Sequence, residues 1–366
     1  MLIRTRIYLL ISTIFVNKGS LSSSLFSIRD TFFMPGFFSS YSRMKRIGTH
    51  NGFFHADEAL AVYMLKLLPE YRDAEVVRTR DPSVLETCDV VVDVGAVYDP
   101  SRHRYDHHQR DFKDFFDDEH EVTKLSSAGL VYKHFSKRLF REVYKVMDEE
   151  TVDYLYKSIY DKFIEAMDAI DNGVPMCDGD LKYKTNTDLS TRVSRLNPSW
   201  IDSDVADVDE RFMKAVELTG QEFEHFVHNA LNVILPAKGL LHKALDHRFQ
   251  THKSGKVIEV RKSCPFSEFL YKHEDENNVS DEDRVLFYLT FDDSSNQWRS
   301  TCIREKGSQF KSRLPFPEHL RGLRDQELEK ASGIPDLTFI HATGFTCGGK
   351  TKESVLKLIE MTLSQK

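Results

Sequence analysis

The sequence predicts an α/β protein: a doubly wound, mainly parallel sheet followed by a smaller α+β domain. Three observations support this. Strand-like and helix-like segments alternate from residue 45 onward, the run DVVVDVG (residues 89–95) has the unbroken valines of a strand buried on both faces, and strand-like segments predominate beyond residue 249. With 366 residues the chain exceeds one ordinary domain. We therefore predict domains at residues 45–196 and 197–366, the second including a helical connector.

The first domain is predicted element by element. KRIGTH from Lys45 is a strand, and HADEALAVYMLKLL from His55 has apolar residues at helical spacing. AEVVRTR is the second strand, DPSVLETC a short helix opened by Asp-Pro, and DVVVDVG the third strand. SSAGLVYKHF and residues 141–172 are predicted to be helical. In such sheets ligands bind beyond the carboxyl ends of the strands.

The second domain is predicted to begin with one or two long helices over residues 204–249. KVIEVRK, RVLFYLTFD and QWRSTCIR then read as strands, and TKESVLKLIEMTL as a closing helix. LTFIHATGFTCGGK is predicted as a strand running into a glycine-rich turn. A turn that opens a helix is a standard anion site, so Gly348, Gly349 and Lys350 are candidates for substrate binding. The alternatives are a tight turn without a ligand and a solvated lysine.

Charge is distributed unevenly along the chain. The first 46 residues contain seven basic residues and one acidic residue, so the other 320 carry a formal charge of −13. The serine-rich, basic segment 1–44 predicts a mitochondrial transit peptide, with a secretory signal as the competing interpretation. Initiation at Met44 would omit it and allow a second location in the nucleus or nucleolus. The acidic body argues against sequence-independent duplex binding, and no segment is long enough to predict a membrane span.

Imidazole and carboxylate side chains gather where the strands of the first domain end. They are His50, His55, Asp57, Asp93, Asp106, His107 and His108. Because the carboxyl ends of parallel strands meet at one edge of a sheet, we expect these side chains to converge. Such ligands, without a thiolate, suit Mn²⁺ or Mg²⁺ better than a structural zinc. Their number favours two ions that share a carboxylate.

These motifs resemble those of a known family. THNGFFHADE, DVGAVYDPSRHRYDHHQ, EAMDAIDNG, RVSRLNP, RGLRDQELEKASGI and HATGF look like the melanocyte proliferating gene (Myg-type) exonucleases of the DHH phosphoesterase superfamily, over residues 46–366. The resemblance implies a DHH-type catalytic domain, a C-terminal substrate-binding domain and metal-dependent 3′–5′ exonuclease activity on single-stranded RNA ends, in mitochondria and nucleus. Oligomeric state stays open, with a homodimer as one option.

The resemblance also implies roles for individual residues. It implies that His50, His55 and Asp93 hold one ion, and that Asp57, Asp93, His107 and an aspartate of EAMDAIDNG hold the other. Asp168 and Asp171 are both candidates for that aspartate, and Asp171 is favoured because DNG resembles the DTG of related phosphoesterases. Asp106 would orient His107, and His108 would face the scissile phosphate.

Three further residues are candidates for substrate binding. Arg192 and Arg195 lie where the two predicted domains should meet, with an interdomain salt bridge as the structural alternative. His341 either faces the cleft from a strand end or is a buried core histidine. A two-ion centre predicts hydrolysis of a phosphate ester without a covalent intermediate.

Other functions also fit parts of the pattern. A small-molecule phosphohydrolase acting on pyrophosphate, a cyclic dinucleotide or a very short oligonucleotide is the main alternative. A non-catalytic metal-dependent scaffold is the second. His-Ala-Asp-Glu superficially suggests a zinc deaminase, but the Pro-Cys-x-x-Cys half of that motif is missing from the sequence.

Overall fold

The structure, a computed structural model, describes residues 43–202 and 207–365. In this part of the chain, ten strands form two five-stranded sheets. The chain divides into the units Met1–Arg43 and Met44–Lys366, and every element below lies in the second. The predicted transit peptide falls almost entirely outside the described residues. The strands are β1 (Arg46–Thr49), β2 (Glu75–Arg78), β3 (Val90–Val92), β4 (Tyr98–Asp99), β5 (Arg104–Tyr105), β6 (Val257–Glu259), β7 (Phe287–Asp292), β8 (Gln297–Cys302), β9 (Leu337–Ile340) and β10 (Thr346–Gly349).

Helices account for most of the remaining described chain. They are α1 (Ala56–Leu67), α2 (Pro82–Leu85), α3 (Ser127–Glu142), α4 (Glu149–Ile159), α5 (Glu165–Asp171), α6 (Leu189–Ser194), α7 (Val208–Asn229), α8 (Leu235–Asp246), α9 (Arg248–Thr251), α10 (Ser267–Glu276), α11 (Asp325–Ser332) and α12 (Lys352–Ser364). The π-helical segments Tyr160–Ile164 and Ala230–Ile234 join α4 to α5 and α7 to α8. No helix in the described segments is both long and apolar enough to cross a membrane.

The first sheet confirms the predicted α/β pattern. Its strand order is β2-β1-β3-β5-β4, with every neighbouring pair parallel except β4 and β5. Val90 and Val92 pack in the large core with α1 and α3, whereas Val91 packs on the opposite face with Leu85 and Cys88. The valine strand is therefore buried on both faces, as its composition predicts.

The second sheet is mixed, in the order β6-β7-β8-β10-β9, with only β6 and β7 parallel. It has its own apolar core, which includes residues of β7, β9 and α12. The assignment of residues 197–366 to a separate substrate-binding domain stays a prediction.

The glycine-rich segment differs from its prediction. Gly348 and Gly349 lie on β10, between β8 and β9, and not in a turn that opens a helix. A Cβ on Gly348 would lie 2.5 Å from Cε1 of Phe339, and one on Gly349 would lie 2.4 Å from Oγ of Ser354. Their missing side chains therefore allow close packing against β9 and α12. The predicted anion-binding turn at these two residues is not present.

Candidate metal centre

Polar side chains from the first sheet and three helices surround a cavity of about 790 Å³. His50 follows β1, and Asp93 follows β3 with a left-handed φ of 56° that directs the chain into the next loop. His55 is the N-cap of α1, and Asp171 is the last residue of α5. The cavity thus opens at the carboxyl ends of parallel strands, where the topology predicts a ligand site.

One half of the centre surrounds His50. Its Nε2 lies 3.1 Å from Oε1 of Glu58 and 3.3 Å from Oδ2 of Asp93, and all three residues are buried. Oε1 of Glu58 also accepts the backbone N–H of His55 at 2.8 Å, which secures the start of α1. A helix-capping contact therefore brings a buried carboxylate beside the predicted ligands.

The other half surrounds His107. Its Nε2 lies 3.1 Å from Oδ2 of Asp171 and 3.4 Å from Oδ1 of Asp93, but neither contact to this nitrogen has the alignment of a hydrogen bond. Asp57 is buried, and its Oδ2 accepts the hydroxyl of Ser127 at 2.7 Å. Asp93 contacts both histidines and lies between the two halves.

Several buried polar atoms here have no hydrogen-bond partner among the described residues: Asp57 Oδ1, Glu58 Oε2, Asp93 Oδ1 and His107 Nε2. Such orphaned atoms are costly to bury unless a ligand satisfies them. Their positions suit cations, because potential ligand atoms lie within 4.8 Å of one another in three groups: His50, His55, Glu58 and Asp93; Asp93, Asp106, His107 and His108; and His55, Asp57 and Asp171. Asp93 and His55 each belong to two groups. The residues fit metal binding with a shared carboxylate.

The two buried imidazoles are held in their charged form by the neighbouring carboxylates. Burial opposes ionisation of His50, but hydrogen bonding and charge from Asp93 and Glu58 outweigh it and raise its pKa to about 10. Burial likewise opposes ionisation of His107, and Asp171 and Asp93 raise its pKa to about 10. Metal binding must therefore displace protons from both rings.

The pKa values of the two buried aspartates, Asp57 and Asp93, shift in opposite directions. Burial raises the pKa of Asp57 well above its usual value, and the charges of the neighbouring carboxylates add to the effect. Burial also acts against ionisation of Asp93, yet His107 and His50 lower its pKa to about 2. This crowding of negative charge is what a divalent cation would relieve.

Asp106 orients its neighbours. Its Oδ1 accepts the backbone N–H of His108 at 3.0 Å and lies 2.7 Å from Nδ1 of that ring, and its Oδ2 accepts the N–H of Ala96 at 2.5 Å. Hydrogen bonding to Asp106 raises the pKa of His108, whose side chain is 61% exposed. The predicted support by Asp106 is therefore directed at His108 and the loop at Ala96.

Asp168 and Asp171 have different environments. Oδ1 of Asp168 accepts Ser126 N–H at 3.0 Å, Ser126 Oγ–H at 2.7 Å and Gly129 N–H at 3.0 Å, and Oδ2 accepts the Tyr160 hydroxyl at 2.9 Å. Asp168 is thus fully engaged as a cap on the N-terminus of α3. Asp171, one helical turn later, is the aspartate of this pair that belongs to a potential ligand group.

Two residues fix the loop between His50 and His55. Asn197 pairs with the backbone of Phe54, accepting its N–H at 2.9 Å and donating to its carbonyl at 2.8 Å. The buried guanidinium of Arg78 packs over the Phe54 ring and donates to the carbonyl of Gly52 at 2.7 Å. The RVSRLNP motif therefore supports this loop through its asparagine.

The predicted substrate residues lie elsewhere. Arg192 pairs with Glu222 of α7 at 2.8 Å, and Arg195 donates to the carbonyl of Asn186 at 2.6 Å. His341 is exposed at the end of β9, and Lys350 is exposed just before α12. None of these four side chains lines the cavity, so their roles in substrate binding stay predictions.

Sequence reasoning missed several residues of this site: Glu58, Ser127, Asn197, Arg80, Ser190 and Ser194. Glu58 had a usable signal, because it stands three residues after His55 in HADE and can reach the same end of the helix. Ser194 and Asn197 lie in the RVSRLNP motif, in which the sequence singled out only the arginines. Ser127, Arg80 and Ser190 have no motif of their own.

Comparison with known proteins identifies the family of the chain. The family model described as "Uncharacterised protein family (UPF0160)" matches residues 46–363. The human MYG1 exonuclease is 45% identical over 328 residues, covering 88% of this chain and 86% of that protein. The MYG1 proteins of Dictyostelium discoideum and Saccharomyces cerevisiae are 42% and 41% identical, each covering 87% of this chain and 96% of their own length.

Proposed function

We propose that the chain, which belongs to the MYG1 exonuclease family (UPF0160), is a metal-dependent 3′–5′ exonuclease that acts on single-stranded RNA ends. The names of its relatives support a nuclease function. The observation that carries the proposal is the group of orphaned buried atoms from Asp57, Asp93 and His107 in a cavity at the strand ends. Phosphodiester hydrolysis is the chemistry that such a group serves in a nuclease.

Two divalent ions, Mn²⁺ or Mg²⁺, are proposed to occupy the centre, with Asp93 as the shared ligand. His50, His55 and Glu58 would complete one side. Asp57, His107 and Asp171 would complete the other, since His107 contacts both Asp171 and Asp93. When bound, the ions would supply Lewis-acid activation of water and neutralise charge on the phosphate.

The chain's own residues have separate tasks. Ser127 orients the Asp57 carboxylate through its hydroxyl. His108, exposed at the cavity and raised in pKa by Asp106, can donate a hydrogen bond to a non-bridging phosphate oxygen. Asp106 keeps that ring in place, so the donor is oriented before the substrate arrives.

A small-molecule phosphohydrolase remains the second candidate function. The cavity volume of about 790 Å³ is in the range of small-ligand sites. The net negative charge of residues 47–366 also disfavours broad electrostatic binding of a nucleic-acid duplex.

Product analysis separates the two functions. Purified protein with Mn²⁺ would be given 5′-labelled RNA, the same RNA with a blocked 3′ end, DNA of equal sequence, pyrophosphate and dinucleotides. A ladder that shortens from the 3′ end and disappears with the blocked RNA supports the proposal. Hydrolysis of pyrophosphate or dinucleotides alone contradicts it. Asp93→Asn should abolish activity, whereas Asp111→Asn, an exposed aspartate in the same region, is the matched control.

Mitochondrial targeting by residues 1–44 is also proposed, on their composition. Fluorescent fusions of the full chain and of a chain starting at Met44 test it. Matrix import of the full chain with nuclear accumulation of the shorter one is expected, and secretion of the full chain would contradict it.

A further inference from the structure

Arg80 lines the same cavity as the metal centre. It stands two residues after β2, at the carboxyl end of that strand. The preceding residue, Thr79, donates its backbone N–H to the carbonyl of Thr49 at 2.8 Å. Because Thr49 directly precedes His50, this bond ties the backbone beside Arg80 to the start of the metal loop.

Hydrogen bonds fix the backbone on both sides of Arg80, whereas the Arg80 side chain is unpaired among the described residues. Asp81 accepts the N–H of Ser83 at 2.8 Å as the N-cap of α2, and its own N–H donates to Oγ1 of Thr79 at 3.1 Å. Arg80 itself is exposed, and its guanidinium forms no hydrogen bond or ion pair with the described residues. An unpaired guanidinium on a fixed backbone is suited to bind an anionic ligand from solution.

The charge balance of the cavity indicates what the Arg80 guanidinium can bind. Four carboxylates, those of Asp57, Glu58, Asp93 and Asp171, would offset the charge of two divalent ions. The remaining carboxylate in the lining, Asp106, is paired with His108. Among the described lining residues Arg80 is the one arginine or lysine. It is therefore the positive charge left for an anionic substrate.

We propose that Arg80 is a catalytic residue that binds the non-bridging oxygens of the substrate phosphate inside the cavity; the proposal rests on the proposed function. Guanidinium and phosphate match in geometry, since two parallel N–H groups can bond two oxygens at once. The hydroxyl of Ser194, which lines the same cavity and donates to none of the described residues, adds a neutral donor to the same anion.

The test compares Arg80→Ala, Arg80→Lys and Arg72→Ala. Arg72 is also exposed and unpaired among the described residues, but it does not line the cavity, so it controls for loss of one surface charge. Thermal unfolding and Mn²⁺ titration establish that each variant is folded and binds metal. The readouts are kcat/KM on 5′-labelled RNA, inhibition by inorganic phosphate, and recovery of activity with added guanidinium.

Arg80→Ala should lower kcat/KM and weaken phosphate inhibition by roughly 10- to 100-fold, the loss expected for charged hydrogen bonds. Mn²⁺ affinity should be unchanged, Arg80→Lys should recover only part of the loss, and added guanidinium should restore activity to Arg80→Ala alone. Values for Arg80→Ala within twofold of the Arg72→Ala control would overturn the proposal.

Failure of the proposed function is recognisable separately. If the wild-type protein cleaves no nucleic acid, the nuclease proposal fails. Calorimetric binding of inorganic phosphate to the Mn²⁺-loaded protein then still decides the role of Arg80: weaker binding to Arg80→Ala supports it, and equal binding contradicts it.

Discussion

Replacing Asp168 should destabilise the fold without removing a metal ligand. Its buried carboxylate accepts four hydrogen bonds, three of them from the N-terminus of α3. Burial raises the pKa of Asp168 to about 7, so its carboxyl is only partly ionised at neutral pH. With a net contribution of about 1 kcal/mol from each hydrogen bond, Asp168→Ala should lower the free energy of unfolding by about 4 kcal/mol. Asp168→Asn retains an acceptor oxygen and should cost only about 1–2 kcal/mol.

Asp171→Asn should give the opposite result. It removes a potential ligand, so Mn²⁺ affinity should fall by at least about 10-fold. In the absence of metal two effects on stability oppose each other, because Asp57 loses a neighbouring negative charge while His107 loses a carboxylate that raises its pKa. The net change in the free energy of unfolding should therefore be much smaller than that of Asp168→Ala. Urea unfolding without metal and calorimetric Mn²⁺ titration measure the two quantities. If Asp168→Ala unfolds at the wild-type urea concentration but loses Mn²⁺ binding, the assignment of these two aspartates is wrong.

The remaining predictions concern the loop support, the packing beside the α3 cap and the pH dependence of the centre. Asn197→Ala removes both bonds to the Phe54 backbone and should weaken Mn²⁺ binding and cost about 1–2 kcal/mol of stability; unchanged affinity by titration would show that the loop needs no such support. Gly129→Ala places a Cβ 2.2–2.6 Å from atoms of the carboxylate that caps α3 and should cost about 2–3 kcal/mol in urea unfolding; a wild-type midpoint would contradict that overlap. Mn²⁺ affinity should rise between about pH 6 and pH 9, because His50 and His107 must lose protons that are held with a pKa of about 10. Calorimetry in buffers of different ionisation enthalpy should detect the released protons, and their absence would refute this protonation scheme. In the metal-free protein, protonated His50 and His107 stabilise the fold. Their contribution is complete below pH 6.5 and is lost as the pH rises through 10.

The residues nearest the strand ends were predictable because strand topology alone brings them together. His50 and Asp93 each directly follow a parallel strand, and an apolar run reveals a strand buried on both faces. Helical spacing, in contrast, could not separate Asp168 from Asp171, since residues three apart share a helix face. Their difference arises because α3 presents donors to one carboxylate and not to the other.

Residues from distant parts of the chain were not predictable from local pattern. Asn197 meets Phe54 across 143 positions, and nothing near either residue encodes that contact. For Gly348 and Gly349 the local pattern was misleading, because a glycine pair is typical of turns. Here both glycines lie on a strand, where Phe339 and α12 pack too closely for a side chain. Tertiary packing decided both cases.

The most direct test of the metal centre is anomalous scattering from crystals soaked in Mn²⁺. We predict two peaks, one on each side of the Asp93 carboxylate, the first contacted by His50 and the second by His107 and Asp171. Crystals that bind Mn²⁺ elsewhere, or that show no peak between these side chains, would contradict this assignment.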